Sequence, residues 1–174
     1  MTTQDKQDIL NLLRQRLNIY AGTNLQSIAW DVDPSLKDDW LDPWLTKIAV
    51  LVGSVSAIEY SSGFVDVSDD GDSYVGSLIA FTSTAIVRGS FAADGTGRQL
   101  RPVGAVTSQP RRDAIKAEIL RVTPLTLTAP QDWPKALVVD VTMADNSSFT
   151  LPFLPKNATQ ADPLLIDFVP GLLV

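Results

Sequence analysis

The chain has 174 residues, of which 45% are hydrophobic and 20% charged, and its net charge is −6. A chain of this length and composition is expected to form one globular domain that needs neither metal nor disulfide to hold a core. It contains no cysteine and no histidine, which excludes disulfides, thiolate metal sites, thiol chemistry and any Ser–His–Asp arrangement.

Residues 3–20 carry Ile9, Leu13, Leu17 and Tyr20 at helical spacing, with Arg14, Gln15, Arg16 and Asn18 on the other side, the pattern of an amphipathic helix. Thr2 and Asp5 are spaced as an N-terminal cap, and Gly22 is placed to end the helix. Between residues 23 and 46, Trp30, Trp40 and Trp44 stand among five aspartates, and Pro34 and Pro43 predict short turns only. Such tryptophans read either as lids over a core or as a docking surface.

From residue 46 the pattern changes to short segments rich in Val, Ile, Phe and Thr. Strands are predicted at 47–58, 62–68, 74–82, 84–92, 98–107, 115–122, 136–143 and 148–154. The clusters at 69–72 and 94–97 supply glycine for hairpin turns, and residues 144–147 form the last turn. A final helix should start at Asp162-Pro163 and carry Leu164, Leu165, Phe168 and Val169. The predicted core draws on Ile48, Val50, Val52, Val65, Val67, Leu78, Ala80, Ile86, Ile119, Val139, Val141, Leu151 and Phe168. A single domain is expected over residues 1–174, with a helical extension over 1–45 and a β-rich body with its terminal helix over 46–170.

Charge is uneven along this body. Residues 1–75 carry a net −7, residues 76–121 a net +4 and the remainder −3. The basic stretch holds Arg88, Arg98, Arg101, Arg111, Arg112, Lys116 and Arg121. If its arginines converge they can hold an anionic ligand by charge-assisted hydrogen bonds; if they alternate outward they are a wet face, and a third reading pairs them with an acidic protein surface.

Asp66, Asp70 and Asp72 stand around Gly71 in partial likeness to a calcium loop, but the twelfth position is Ser77 where a glutamate is needed. A solvated hairpin turn explains the segment better, and no metal ligand is assigned. There is no Walker loop, dinucleotide fingerprint or Gly-x-Ser-x-Gly elbow.

Gly76–Thr82 as a strand turning into Thr84–Phe91, then Ile115–Val122, the hairpin Ala136–Phe153 with its Asp145-Asn146 turn and the Asp162–Val169 helix together resemble bacterial PH-like and GRAM-like domains. The resemblance covers residues 46–170 and departs from the family at Ser83 and Thr84, where a basic residue is usual. It implies a curved antiparallel barrel plugged by a helix at one end. The expected fold is therefore α+β: an N-terminal helix, an antiparallel β-barrel or sandwich of seven or eight strands (PH-like) and a C-terminal capping helix.

The expected function is a non-enzymatic protein-interaction or assembly module, its partner another protein or a second copy of itself, that uses Trp40, Trp44, Leu13 and Leu17. A second reading is PH-like binding of an anionic ligand or lipid head group by Arg98, Arg101, Arg111 and Arg112. A small enzyme using acidic residues is the third. No cofactor, nucleic acid or integral membrane partner is expected, because the net charge is negative and no apolar run reaches spanning length. A polar N-terminus without an apolar leader points to the cytoplasm.

Overall fold

The computed structural model describes residues 2–19, 28, 40–67, 73–94, 100–122, 137–154 and 162–172. The first helix, α1 (Thr3–Gln15), begins with the expected cap. The Asp5 amide donates to the Thr2 hydroxyl at 3.1 Å, and the Thr2 amide donates to the Asp5 carboxylate at 2.7 Å. Two of the first turn's orphan N–H groups are satisfied in this way. Ile9 and Leu13 are buried.

The helix stops sooner than its periodicity predicts. Leu17–Ile19 is a short strand, β1, lying parallel to β2 (Tyr60–Val67), with Leu17 opposite Gly63. A methyl group on Gly63 would come within 2.8 Å of the Leu17 side chain, so the glycine admits the leucine and strand pairing replaces another helical turn. Tyr20 and Gly22 lie outside the described residues.

Asp42–Val52 forms α2, where the sequence predicts a strand over 47–58. Thr46, Ile48, Val50 and Val52 carry strand propensity. The buried positions, however, are Trp44, Leu45, Ile48, Ala49 and Val52, a helical stripe. Pro43 falls in the first turn, where its missing N–H costs nothing, and Gly53 ends the helix at φ +87°. Arg14 and Asp42, 2.5 Å apart, tie the two helices together. Val50 faces away from the core at 63% exposure, which corrects its place in the predicted core.

Strands β2, β3 (Ser73–Phe81), β4 (Ala85–Asp94) and β5 (Val106–Pro110) follow as an antiparallel meander, giving a five-stranded sheet in the order β1-β2-β3-β4-β5. β5 begins later than the predicted 98–107, since Leu100–Ala105 meets β4 irregularly, at the Val103–Ala92 bridge and where the Ser90 amide donates to the Ala105 carbonyl at 3.2 Å. The tight β3–β4 turn is held by Thr82, whose hydroxyl accepts from the Ala85 amide at 2.9 Å.

A second sheet holds β6 (Ala114–Val122), β7 (Leu137–Met143) and β8 (Ser148–Leu151) in that order. Asn146 turns β7 into β8 at φ 64°. Asp145 accepts from both the amide and the hydroxyl of Ser147 there, which holds its carboxyl below the usual range. The fold is thus α+β with two sheets. Among the described residues no strand pairing joins them, so the barrel alternative is not closed.

Alternation along the central strands divides the core. Val65, Leu78, Ala80, Val87 and Phe91 face α1 and α2, while Tyr60, Ile79, Phe81 and Ile86 face the second sheet and the terminal helix α3 (Pro163–Phe168). The Asp162 side chain caps α3 by accepting from the Leu164 amide at 3.1 Å. Phe168 stacks on Tyr60 with ring centres 4.9 Å apart, and the Tyr60 hydroxyl donates to Asp162 at 2.9 Å.

Burial first, and then the Asp162 charge, push the Tyr60 phenol above its ordinary value of 10.0. The folded state therefore keeps the proton that the unfolded chain releases. Its stabilising contribution is complete below about pH 10 and falls by about 1.4 kcal/mol per pH unit above it. In urea unfolding at pH 8 and pH 11, Tyr60→Phe should show the smaller alkaline loss; equal losses in both chains would contradict this.

Candidate functional site

The four residues expected to form a protein-interaction surface all point inward. Leu13 and Trp44 are 0% exposed, Trp40 6% and Leu17 7%. Trp44 and Trp40 pack edge-on against Phe91, with ring centres 4.8 and 5.9 Å apart. A methyl group on Gly89 would lie 2.8 Å from the Trp44 ring, so this glycine makes the seat for the indole. These side chains fasten the helices to the sheet. Trp30 lies outside the described residues.

The expected arginine cluster does not form among the described residues. Arg98 lies outside them. Arg101 and Arg112 are exposed, while Arg111 is buried and bonded to Glu59, to the Thr82 carbonyl at 3.0 Å and to the Gly171 carbonyl at 2.5 Å. Val103 stands opposite Ala92 and Pro110 opposite Ala85. About seven residues of extended chain, roughly 23 Å, therefore separate the Arg101 end from the Arg111–Arg112 end. Asp66 sits at the end of β2, its carboxylate accepting from the Val67 amide at 2.9 Å, whereas Asp70 and Asp72 lie outside the described residues. Among the described residues no three acidic side chains gather into a metal site, and no helix is long and apolar enough to cross a membrane.

Two other features stand out. The first is β6, whose described pairing is with β7 alone, leaving its other edge free among the described residues. Bulges interrupt it at Ile115 and Leu120. Ile115 is 57% exposed, Ile119 and Leu120 are each 56% exposed and Val122 is 42% exposed. Ile119 lies opposite buried Val139 and so faces the core side. It is nevertheless exposed, because β6 overhangs the core it was predicted to join. Lys116 and Glu118 form an exposed ion pair on the other face.

The second is a cleft of about 180 Å³ lined by Ser77, Arg88, Gly89, Ser90, Ala105, Thr107 and Phe153. Register places Ser77 opposite Ser90 and Arg88 opposite Thr107, so three adjacent strands present their polar side chains on one face. The Arg88 guanidinium lies 4.9 Å from the centre of the Phe149 ring, a cation–π geometry. Phe149 in turn meets Phe153 edge-on, and the Phe153 amide donates to Ser62 at 2.9 Å. Arg88 belongs to the basic stretch but not to the arginines expected to bind. Its signal was a charged residue between Ile86 and Ser90, in a strand whose neighbours Ile86 and Val87 are apolar.

A shallow apolar surface also lies between α2 and β5, around Val50, Leu51 and Val106. Comparison of the whole chain with protein-family models, with curated proteins and with solved structures found no match.

Proposed function

We propose that this chain is a protein-interaction module that associates with a second copy of itself through the free edge of β6. The observation that carries this reading is a nine-residue strand that is an edge among the described residues and exposes Ile115, Ile119, Leu120 and Val122. An unprotected edge offers a row of backbone donors and acceptors to another strand, and a continued sheet would cover the overhanging side chains. The two bulges limit regular pairing to the stretch between them, Lys116–Ile119.

Symmetry narrows the register. Two identical antiparallel strands related by a two-fold axis pair each residue about one central residue. Centring on Lys116 or Glu118 sets like charges directly opposite, which is unfavourable. Centring on Ile119 brings no charged pair together within the regular stretch. Centring on Ala117 sets Lys116 opposite Glu118 of the second copy twice within the regular stretch. This strand is complementary to itself.

The Thr82 turn, the Asp145-Asn146 hairpin and the capped α3 stand in the order that the PH-like resemblance implies. They support a PH-like scaffold, and the reading assigns it no catalytic role.

Charge exchange tests the proposal. Lys116→Glu and Glu118→Lys should each weaken self-association about tenfold in sedimentation equilibrium at low salt, since two attractive pairs become repulsive. Mixing the two variants, or combining both changes in one chain, should restore it. A monomer at every concentration overturns the proposal, and a dimer indifferent to these changes places the contact elsewhere.

A further inference from the structure

We infer that the cleft at Arg88 is a binding site for a small tetrahedral oxyanion, a phosphate group either free or carried on an organic molecule. The cleft lies where one face of the five-stranded sheet changes character. Near the β3–β4 turn that face is apolar, with Tyr60, Phe81 and Ile86 in one cross-strand row beneath the second sheet. One row further on stand Ser62, Ile79, Arg88 and Thr107, and beyond them Phe64, Ser77 and Ser90. Polar residues thus replace the core at the place where a recess opens.

Their state of pairing gives the recess its chemistry. Among the described residues Arg88 makes no hydrogen bond and no ion pair; its contact is the Phe149 ring. The hydroxyls of Ser77, Ser90 and Thr107 likewise have no protein partner among the described residues. Arg14, Arg111 and Lys116, by contrast, are each joined to a carboxylate. Asp145 is held low chiefly by Ser147, and the Arg88 charge contributes last. A guanidinium steadied by an aromatic ring and flanked by three hydroxyl donors matches an anion with several acceptor oxygens. Partial enclosure between the sheets reduces the screening that a surface arginine suffers.

The Phe153 wall of the cleft favours an organic group attached to the phosphate. Inorganic phosphate and phenyl phosphate distinguish the two sources.

Amide and arginine Nε resonances of the 15N-labelled chain, titrated with each compound in dilute buffer at neutral pH, test the site. Saturable shifts are expected at Arg88 Nε, Gly89 and Ser90. Phenyl phosphate binding more tightly assigns an organic phosphate; equal affinity assigns the free ion. Arg88→Gln should weaken binding about tenfold or more, and Arg88→Lys should recover part of it. Ser77→Ala with Ser90→Ala supplies a second comparison if Arg88→Gln folds poorly. Shifts that never saturate, that centre on Arg101 or Arg112, or that persist unchanged in these variants overturn the inference. The readout does not depend on β6 and stands apart from the self-association test.

Discussion

Trp44→Ala is expected to cost about 3–5 kcal/mol of folding stability, the range for deleting a large buried aromatic. The indole is fully buried between α2 and the sheet, with Phe91 on its edge and the bare backbone of Gly89 beneath it. Phe91 cannot collapse into the vacated space without leaving Trp40, which it also meets edge-on. The cavity term should therefore be close to its full size. Trp44→Phe should cost much less than volume alone implies. Among the described residues the buried indole Nε1 has no hydrogen-bond partner, and phenylalanine removes that donor together with the ring atoms. Urea unfolding followed by far-ultraviolet circular dichroism measures both. A loss below about 1 kcal/mol for Trp44→Ala, accompanied by weakened association, would instead return Trp44 to the role of a docking residue.

Arg111→Met comes next, with an expected loss of about 2–4 kcal/mol. Arg111 closes the molecule at one corner. From a 3-10 turn between β5 and β6 it reaches the Thr82 carbonyl at the β3–β4 turn, the Gly171 carbonyl after α3, the Glu59 carboxylate and the Phe168 ring, whose centre lies 5.4 Å from the guanidinium. Methionine fills part of the space but gives the two carbonyls no donor. Glu59 is 41% exposed, so it rehydrates once the arginine is gone, and Glu59→Gln should cost only about 0.5–1 kcal/mol. The asymmetry is the prediction: most of the stabilisation comes from Arg111 meeting backbone oxygens, not from the ion pair. Equal losses for both variants would contradict it. Amide hydrogen exchange at Phe168 and Leu172 should rise sharply in Arg111→Met, since the terminal turn loses its tether to β3 and β4.

The same two residues mark where local reading stops. Trp44 was legible as a lid over a core or as a docking residue, but not as part of a helical stripe, because the helix that carries it reads locally as a strand. Four β-branched residues at 46, 48, 50 and 52 alternate like a strand, and only packing against the sheet selects the helical stripe Trp44, Ile48, Ala49 and Val52. Arg111 and Arg112 are neighbours of identical chemistry. One is buried and the other exposed, a difference set by Glu59, Thr82 and Gly171, which lie far away in the chain.

The sequence by itself determined what depends on near neighbours. The Thr2–Asp5 cap, the Asp162-Pro163 start of α3, the strands β2, β3, β4, β6, β7 and β8, and the reversal around Asn146 are local hydrogen-bonding and torsional choices. Tertiary structure alone decided the early end of α1, where β1 pairs across the chain with Gly63, the division of the strands into two sheets, and the overhang that leaves Ile119 exposed. It also decided that Arg88, rather than Arg101 or Arg112, faces a recess beside hydroxyls from neighbouring strands. Strand register and sheet overlap join residues distant in sequence, and a periodicity read along the chain carries no information about what lies opposite.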